Sequence, residues 1–307
     1  MEIQPDTLVA QRRWRKQARF WRLATVIITI VLVFFIFQNT SYYNKVTVND
    51  HIIRIRINGI IFDDILLTKS LESIANNPKI HAVILIIDSP GGTSLGGESI
   101  YRKLRMISKS GKPVVAIIRT MGTSAGYTVA LGADRIYALK TSLVGSVGAI
   151  IRTADLTELM KKIGVRSQTY RSGKIKSFPS LVEKTPLEAN ILIQNAVNDV
   201  GEWFVQTTID RRKLTKRKAK EVASGRIFTG RQALNYNLID EIGEEKDALR
   251  WLRQKKGVKK GLAIIEAENE RTTVKLPNLF YSILEKNLTK GILSLDGLLS
   301  VWQAKLN

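Results

Sequence analysis

The sequence predicts an α/β protein built on a parallel sheet and held to a membrane by one N-terminal helix. Three observations carry that expectation. A run of 22 residues without charge, Leu23 to Asn44, follows a basic tail. Nearly continuous apolar segments such as His81 to Ser89 read as strands buried on both faces. Segments of helical spacing separate them, and strand–helix alternation marks a parallel α/β layer.

Residues 1–22 are the expected cytoplasmic tail, with Arg12, Arg13, Arg15, Lys16, Arg19 and Arg22 against Glu2 and Asp6. Residues 23–44 are the expected transmembrane anchor. At roughly 1.5 Å per residue the run spans about 33 Å, enough to cross a bilayer. Phe20, Trp21, Tyr42 and Tyr43 stand at its ends, where an aromatic belt belongs. The basic flank comes first, so the N-terminus is expected in the cytoplasm and the chain after residue 45 on the far side. The sequence IFQNTSYYN offers no small-x-small cleavage site, which favours an anchor over a removed signal peptide.

Composition narrows the function classes. The 307 residues are 44% apolar with 7 prolines, which excludes a disordered chain and allows one large domain or two small ones. There is no cysteine, so disulfides, Cys-based metal sites and thiol nucleophiles are excluded. Two histidines, His51 and His81, are too few for the usual zinc sites, and no metal or cofactor is expected. The tail accounts for little of the net charge of +21. The densest basic patch is DRRKLTKRKAKE, Asp210 to Glu221. Nucleic acid or an anionic membrane would suit it, but no aromatic interleaving or finger pattern accompanies it. A solvated helix face is the expectation, with no nucleic-acid partner.

The middle of the chain gives the elements in order. His81 to Ser89 is a strand ending at Pro-Gly-Gly, and Leu95 to Lys109 is a helix carrying Ile100, Leu104 and Ile107. Lys112 to Thr120 is a second buried strand, Gly122 to Leu131 a short helix, Arg135 to Leu139 a third strand and Val165 to Tyr170 a fourth. Thr185-Pro186-Leu187-Glu188 reads as a capping box with proline at the first helical position. It opens a long helix through Ile193, Val197, Val200 and Phe204. The last segment, 258–307, is an expected amphipathic extension whose apolar stripe runs from Leu276 to Trp302.

Two glycine-rich turns follow consecutive strands. Asp88-Ser89-Pro90-Gly91-Gly92 can turn backbone N–H groups toward a ligand, or be a plain tight turn. Gly122-Thr123-Ser124-Ala125-Gly126 matches the G-x-S-x-G elbow, which places a serine at a strand-to-helix turn. A small-residue helix start would look the same. Histidine then discriminates. No histidine follows Ser124, so the hydrolase order Ser, acid, His fails. His51 follows the membrane linker and His81 opens a buried strand, so both read as structural. A serine nucleophile here needs another base, and a lysine kept neutral in an apolar site can serve. Spacing alone does not choose among so many lysines.

Five motifs, IDSPGG, GTSAGYTVALGADRIYA, VGSVGAI, RSGKIKS and GRIFTGRQALNYNLIDEIG, occur in order between about Val46 and Leu252. Together they resemble bacterial signal peptide peptidase A in its half-length, single-domain form. The resemblance implies a peptidase domain over 45–257 with a Clp protease/crotonase-like fold of repeated ββα units. It implies a serine–lysine peptidase of the bacterial inner membrane, degrading signal peptides released from preproteins on the extracytoplasmic side. By the same resemblance, Ser124 is the nucleophile, Lys176 the general base and Ser146 the serine that orients it. Gly92 and the N–H of Ala125 form the oxyanion hole, and Gly91 and Gly92 bind substrate.

Two departures from the family pattern stand out. Ala125 replaces a glycine, and Lys176 is followed by Ser-Phe-Pro-Ser, which leaves Lys174 as a competitor. Half-length members share each active site between neighbouring protomers, so a homo-oligomeric ring is implied, and activity should rise toward mildly alkaline pH. The rivals are a crotonase-type acyl-CoA enzyme, a silent membrane scaffold that binds peptides or partners, and a peptidase for stomatin-like membrane proteins.

Overall fold

The computed structural model describes residues 21–22, 25–30, 49–267 and 299–301. The chain divides into two compact units, Met1–Asn49 and Asp50–Asn307. In the first, residues 21–22 and 25–30 are helical, and the Thr25 hydroxyl donates to the Trp21 carbonyl at 2.8 Å. Most of the expected tail and anchor lies outside the described residues. Among the described residues no helix is long and apolar enough to cross a membrane.

The second unit is built on one mixed sheet. Its elements begin β1 (His51–Ile61), α1 (Ile65–Asn76), β2 (Ile80–Thr93), α2 (Ser94–Lys109), β3 (Val114–Thr123), α3 (Ala125–Leu131) and β4 (Arg135–Ala138). This is the strand–helix alternation expected from the apolar runs. β2 pairs in parallel with β1 and β3, and β3 in parallel with β4. Beyond β4 come β5 (Leu143–Gly145), α4 (Thr157–Lys162), α5 (Leu187–Arg212), α6 (Lys216–Val222), β6 (Ile227–Thr229), α7 (Gly230–Asn235), β7 (Glu241–Ile242), α8 (Glu245–Lys256) and β8 (Ala263–Glu266). β8 pairs with β1, so the sheet continues past residue 257.

β2 explains why its sequence lacks polar alternation. Val83, Leu85 and Ile87 enter a core with Leu71, Leu104 and Val129, while Ala82, Ile84 and Ile86 enter a second core with Ala248 and Leu252. Both faces of the strand are covered, so both sets are apolar. β3 changes partner along its length: Val115 to Ile118 face β4, and Met121 to Thr123 face β5. The Ser142 hydroxyl sits at that fork and donates to the Ile118 carbonyl at 3.2 Å.

Asp134 fastens α2 to β3. Its carboxylate accepts from Ser108 Oγ at 2.6 Å, from the Val114 N–H at 2.9 Å and from Arg105 at 3.0 Å. Burial alone would raise its pKa, but these three donors outweigh it and hold the carboxyl below its ordinary value. The folded state therefore binds this proton more weakly than the unfolded chain does. The stability it contributes is complete above about pH 4 and is lost as pH falls through the folded value. Asp134→Ala is expected to cost about 2–3 kcal/mol at neutral pH. Thermal unfolding of the two proteins should show that gap narrowing on acidification.

Three sequence expectations change here. Val165 to Tyr170 forms no strand; it lies in an exposed segment that pairs with no strand among the described residues. The capping box at Thr185 does not form: Pro186 is itself the N-cap of α5, and no side chain caps that end. The basic patch is only partly a solvated face. Arg211 donates to the carbonyls of Leu131 and Ala133, and Arg212 pairs with Asp240 at 3.0 Å, so both buttress the core. The apolar stripe from Leu276 lies outside the described residues except for β9 (Leu299–Val301).

Candidate active site

Ser124 stands where β3 ends and α3 begins, with φ 56° and ψ −125°. A residue with a Cβ in that region carries about 1–3 kcal/mol of strain and persists only where its surroundings fix it. Here they do. Its N–H donates to the Gly145 carbonyl at 2.8 Å, and its own carbonyl accepts from Tyr127 and Thr128 at 2.8 and 3.0 Å. The small residues around it are a packing requirement. A Cβ on Gly126 would come within 3.0 Å of the Ser89 carbonyl oxygen, and one on Gly97 within 3.1 Å of the Ala125 Cβ. Ala125, which replaces the glycine of the family pattern, opens α3 with helical backbone.

The glycine turn lies alongside. Thr123, the residue before Ser124, donates its hydroxyl to the Pro90 carbonyl at 3.0 Å. The Gly91 N–H donates to Ser89 Oγ at 3.1 Å, and Gly91 has φ 121°. Gly92 faces Ile61 in register, and a Cβ there would fall 1.9 Å from the Ile61 oxygen. Only glycine fits. β9 pairs antiparallel with this same edge, Val301 opposite Gly91, Ser300 opposite Gly92 and Leu299 opposite Thr93. The edge thus accepts an extended chain by backbone pairing, as in β-augmentation.

Ser124 and Ser146 line one small cleft of about 260 Å³, with Val147 to Ile150 and Ala223 to Gly225. Ser146 is itself held at φ 53° by its N–H to the Arg226 carbonyl at 2.9 Å. The structure therefore brings Ser124, Ala125, Ser146, Gly91 and Gly92 to one end of the sheet. Lys176 and Lys174 are not in that cleft. Both are exposed, on the segment between β5 and α5, and the Lys176 N–H bonds the Gly173 carbonyl at 3.1 Å. From Gly148 through Glu188 no residue is buried, although Ile163 and Tyr170 are among its apolar side chains, the latter 90% exposed. The histidines are at the opposite end of the parallel strands. His51 is buried at the start of β1, and His81 lies 3.2 Å from Asp50.

Some lining residues were not legible. Ala223, Ser224 and Gly225 reach the cleft because β6 pairs antiparallel with β5. No local pattern announces that long-range pairing. The groups of His, Asp and Glu among the described residues include none arranged to hold a metal ion.

A serine held in a strained elbow beside a glycine edge is the equipment of an acyl-transfer hydrolase. The profile of peptidase family S49 matches residues 106–259, and the chain belongs to that family. It is a serine peptidase, and within the family it is similar to the half-length, SppA-type members. The Synechocystis protein slr0021, assigned as a protease, is 35% identical over 67% of this chain and 75% of its own. An Enterococcus faecium protein assigned as signal peptide peptidase SppA is 31% identical over 73% and 69%. Protease 4 of Haemophilus influenzae is 26% identical over 61% of this chain but only 30% of its own length.

Proposed function

We propose that this is a membrane-anchored serine endopeptidase that degrades signal peptides after their release, with Lys176 of a second copy serving Ser124. The observation that carries the reading is the strained Ser124, set in one cleft with Ser146 and beside the Gly91–Gly92 edge. Ser124 Oγ attacks a peptide carbonyl while a neutral lysine amine takes its proton. The N–H groups of Gly92 and Ala125 receive the oxyanion. The lysine returns the proton to the leaving amine, and water then hydrolyses the acyl-enzyme.

Lys174 and Lys176 sit on an arm that exposes many apolar side chains between Ile150 and Val182. Such an arm is suited to cover another protein surface, and a ring of identical chains would bring it to a neighbour's cleft. The charge pattern of residues 1–44 supports an anchor in a bacterial inner membrane with the catalytic unit outside the cytoplasm. The full-length chain in detergent should cut a synthetic signal peptide, with products read by mass spectrometry. Its rate should rise from neutral to mildly alkaline pH, because the amine works only without its proton. No product from any apolar peptide would favour the scaffold reading, and cleavage confined to stomatin-like proteins the narrower substrate.

A further inference from the structure

A second and larger depression, of about 1330 Å³, opens beside the glycine edge. Thr93, the last residue of β2, is on its rim, followed by Ser94 and Leu95 at the start of α2. Its apolar surface includes Phe62, Leu95 and Trp203; Phe62 and Leu95 are 54% and 58% exposed. Around these stand four carboxylates, Asp63 after β1, Glu98 on α2, and Asp199 and Glu202 on α5. Asp63, Asp199 and Glu202 make no ion pair among the described residues, and Glu98 is 3.6 Å from Arg102. In a chain of net charge +21, four acids gathered on one apolar groove, three of them without an ion pair among the described residues, suit a cationic partner.

The direction of β9 says which part of a bound peptide arrives there. An antiparallel chain has its residue at Gly92 preceded by the one at Thr93, and earlier residues continue toward Leu95. If the Gly92 N–H receives the scissile carbonyl, the groove takes residues roughly three to six positions before the cut, at about 3.3 Å per residue. We infer that this groove is the specificity site for an apolar peptide carrying a lysine or arginine upstream of the scissile bond, read by Asp63, Glu98, Asp199 and Glu202. The inference rests on the peptidase reading for the location of the cut, but not for the existence of the groove.

Binding separates the two. The full-length Ser124→Ala chain in detergent is titrated with a fluorescent leucine- and alanine-based peptide bearing one lysine in that window, and with its glutamate counterpart. The lysine peptide should bind about fivefold tighter or more at low salt, with the ratio shrinking at high salt. The ratio, unlike either affinity, is insensitive to competition from the chain's own β9. Adding Asp199→Asn and Glu202→Gln should bring it close to one while light scattering shows an unchanged oligomeric mass. Equal binding of the two peptides, or a ratio that the double substitution leaves unmoved, overturns the inference. A loss of oligomeric mass overturns it as well, because the groove is then an interface between copies. Preferential binding without cleavage by the unsubstituted chain would instead sink the peptidase reading and leave the groove standing.

Discussion

Ser124→Ala is expected to lower kcat/KM on a synthetic signal peptide on the order of 10⁴-fold or more. The effect should be almost purely chemical. The Ser124 side chain caps no helix N–H, and alanine has the same Cβ in the same strained backbone. The bonds that hold the turn, to Gly145, Tyr127 and Thr128, are all made by the backbone of residue 124 and survive the substitution. The melting temperature should therefore stay within a few degrees of the parent. A variant that retains activity would remove Ser124 from the chemistry; one that is inactive but unfolded would say nothing about the nucleophile, which is why both quantities are measured on one preparation.

Lys176→Ala is expected to cost about 10³-fold, within the range for loss of a general base. Its structural cost should be near zero, since Lys176 is exposed and, among the described residues, only its backbone is bonded, to Gly173. Lys174→Ala is the control. Its side chain is equally exposed two residues away, and the assignment predicts that it retains most activity. A reversed result would make Lys174 the base and leave the rest of the mechanism intact.

Much of the sheet and the Ser124 elbow were legible because they obey local rules. β2, β3 and β4 announce themselves as apolar runs because both faces are buried. Ser124 announces itself because a strand-to-helix elbow needs small neighbours, and here Gly97 and Gly126 leave room for Ala125 and Ser89. No histidine follows Ser124, which excludes the Ser–acid–His order, and His51 and His81 lie at the far ends of the strands.

What sequence could not give depends on distant pairing. The segment at Val165 has strand-like residues but pairs with no strand among the described residues. Residues 223–225 reach the cleft through β6, and Arg211 and Arg212 are drawn from a seemingly solvated run into carbonyl and carboxylate contacts. The acidic groove joins residues from three elements, so no window of sequence displays it.

The claim on which the mechanism stands is that one chain's serine works with another chain's lysine. Co-expressing Ser124→Ala and Lys176→Ala chains tests it, because neither can act alone. If sites are shared between neighbours, random assembly joins an intact serine to an intact lysine at about a quarter of the sites, and activity should return to about a quarter of the parent value. A mixture as inactive as its two components would contradict the shared site and require Lys176 to reach Ser124 within a single chain.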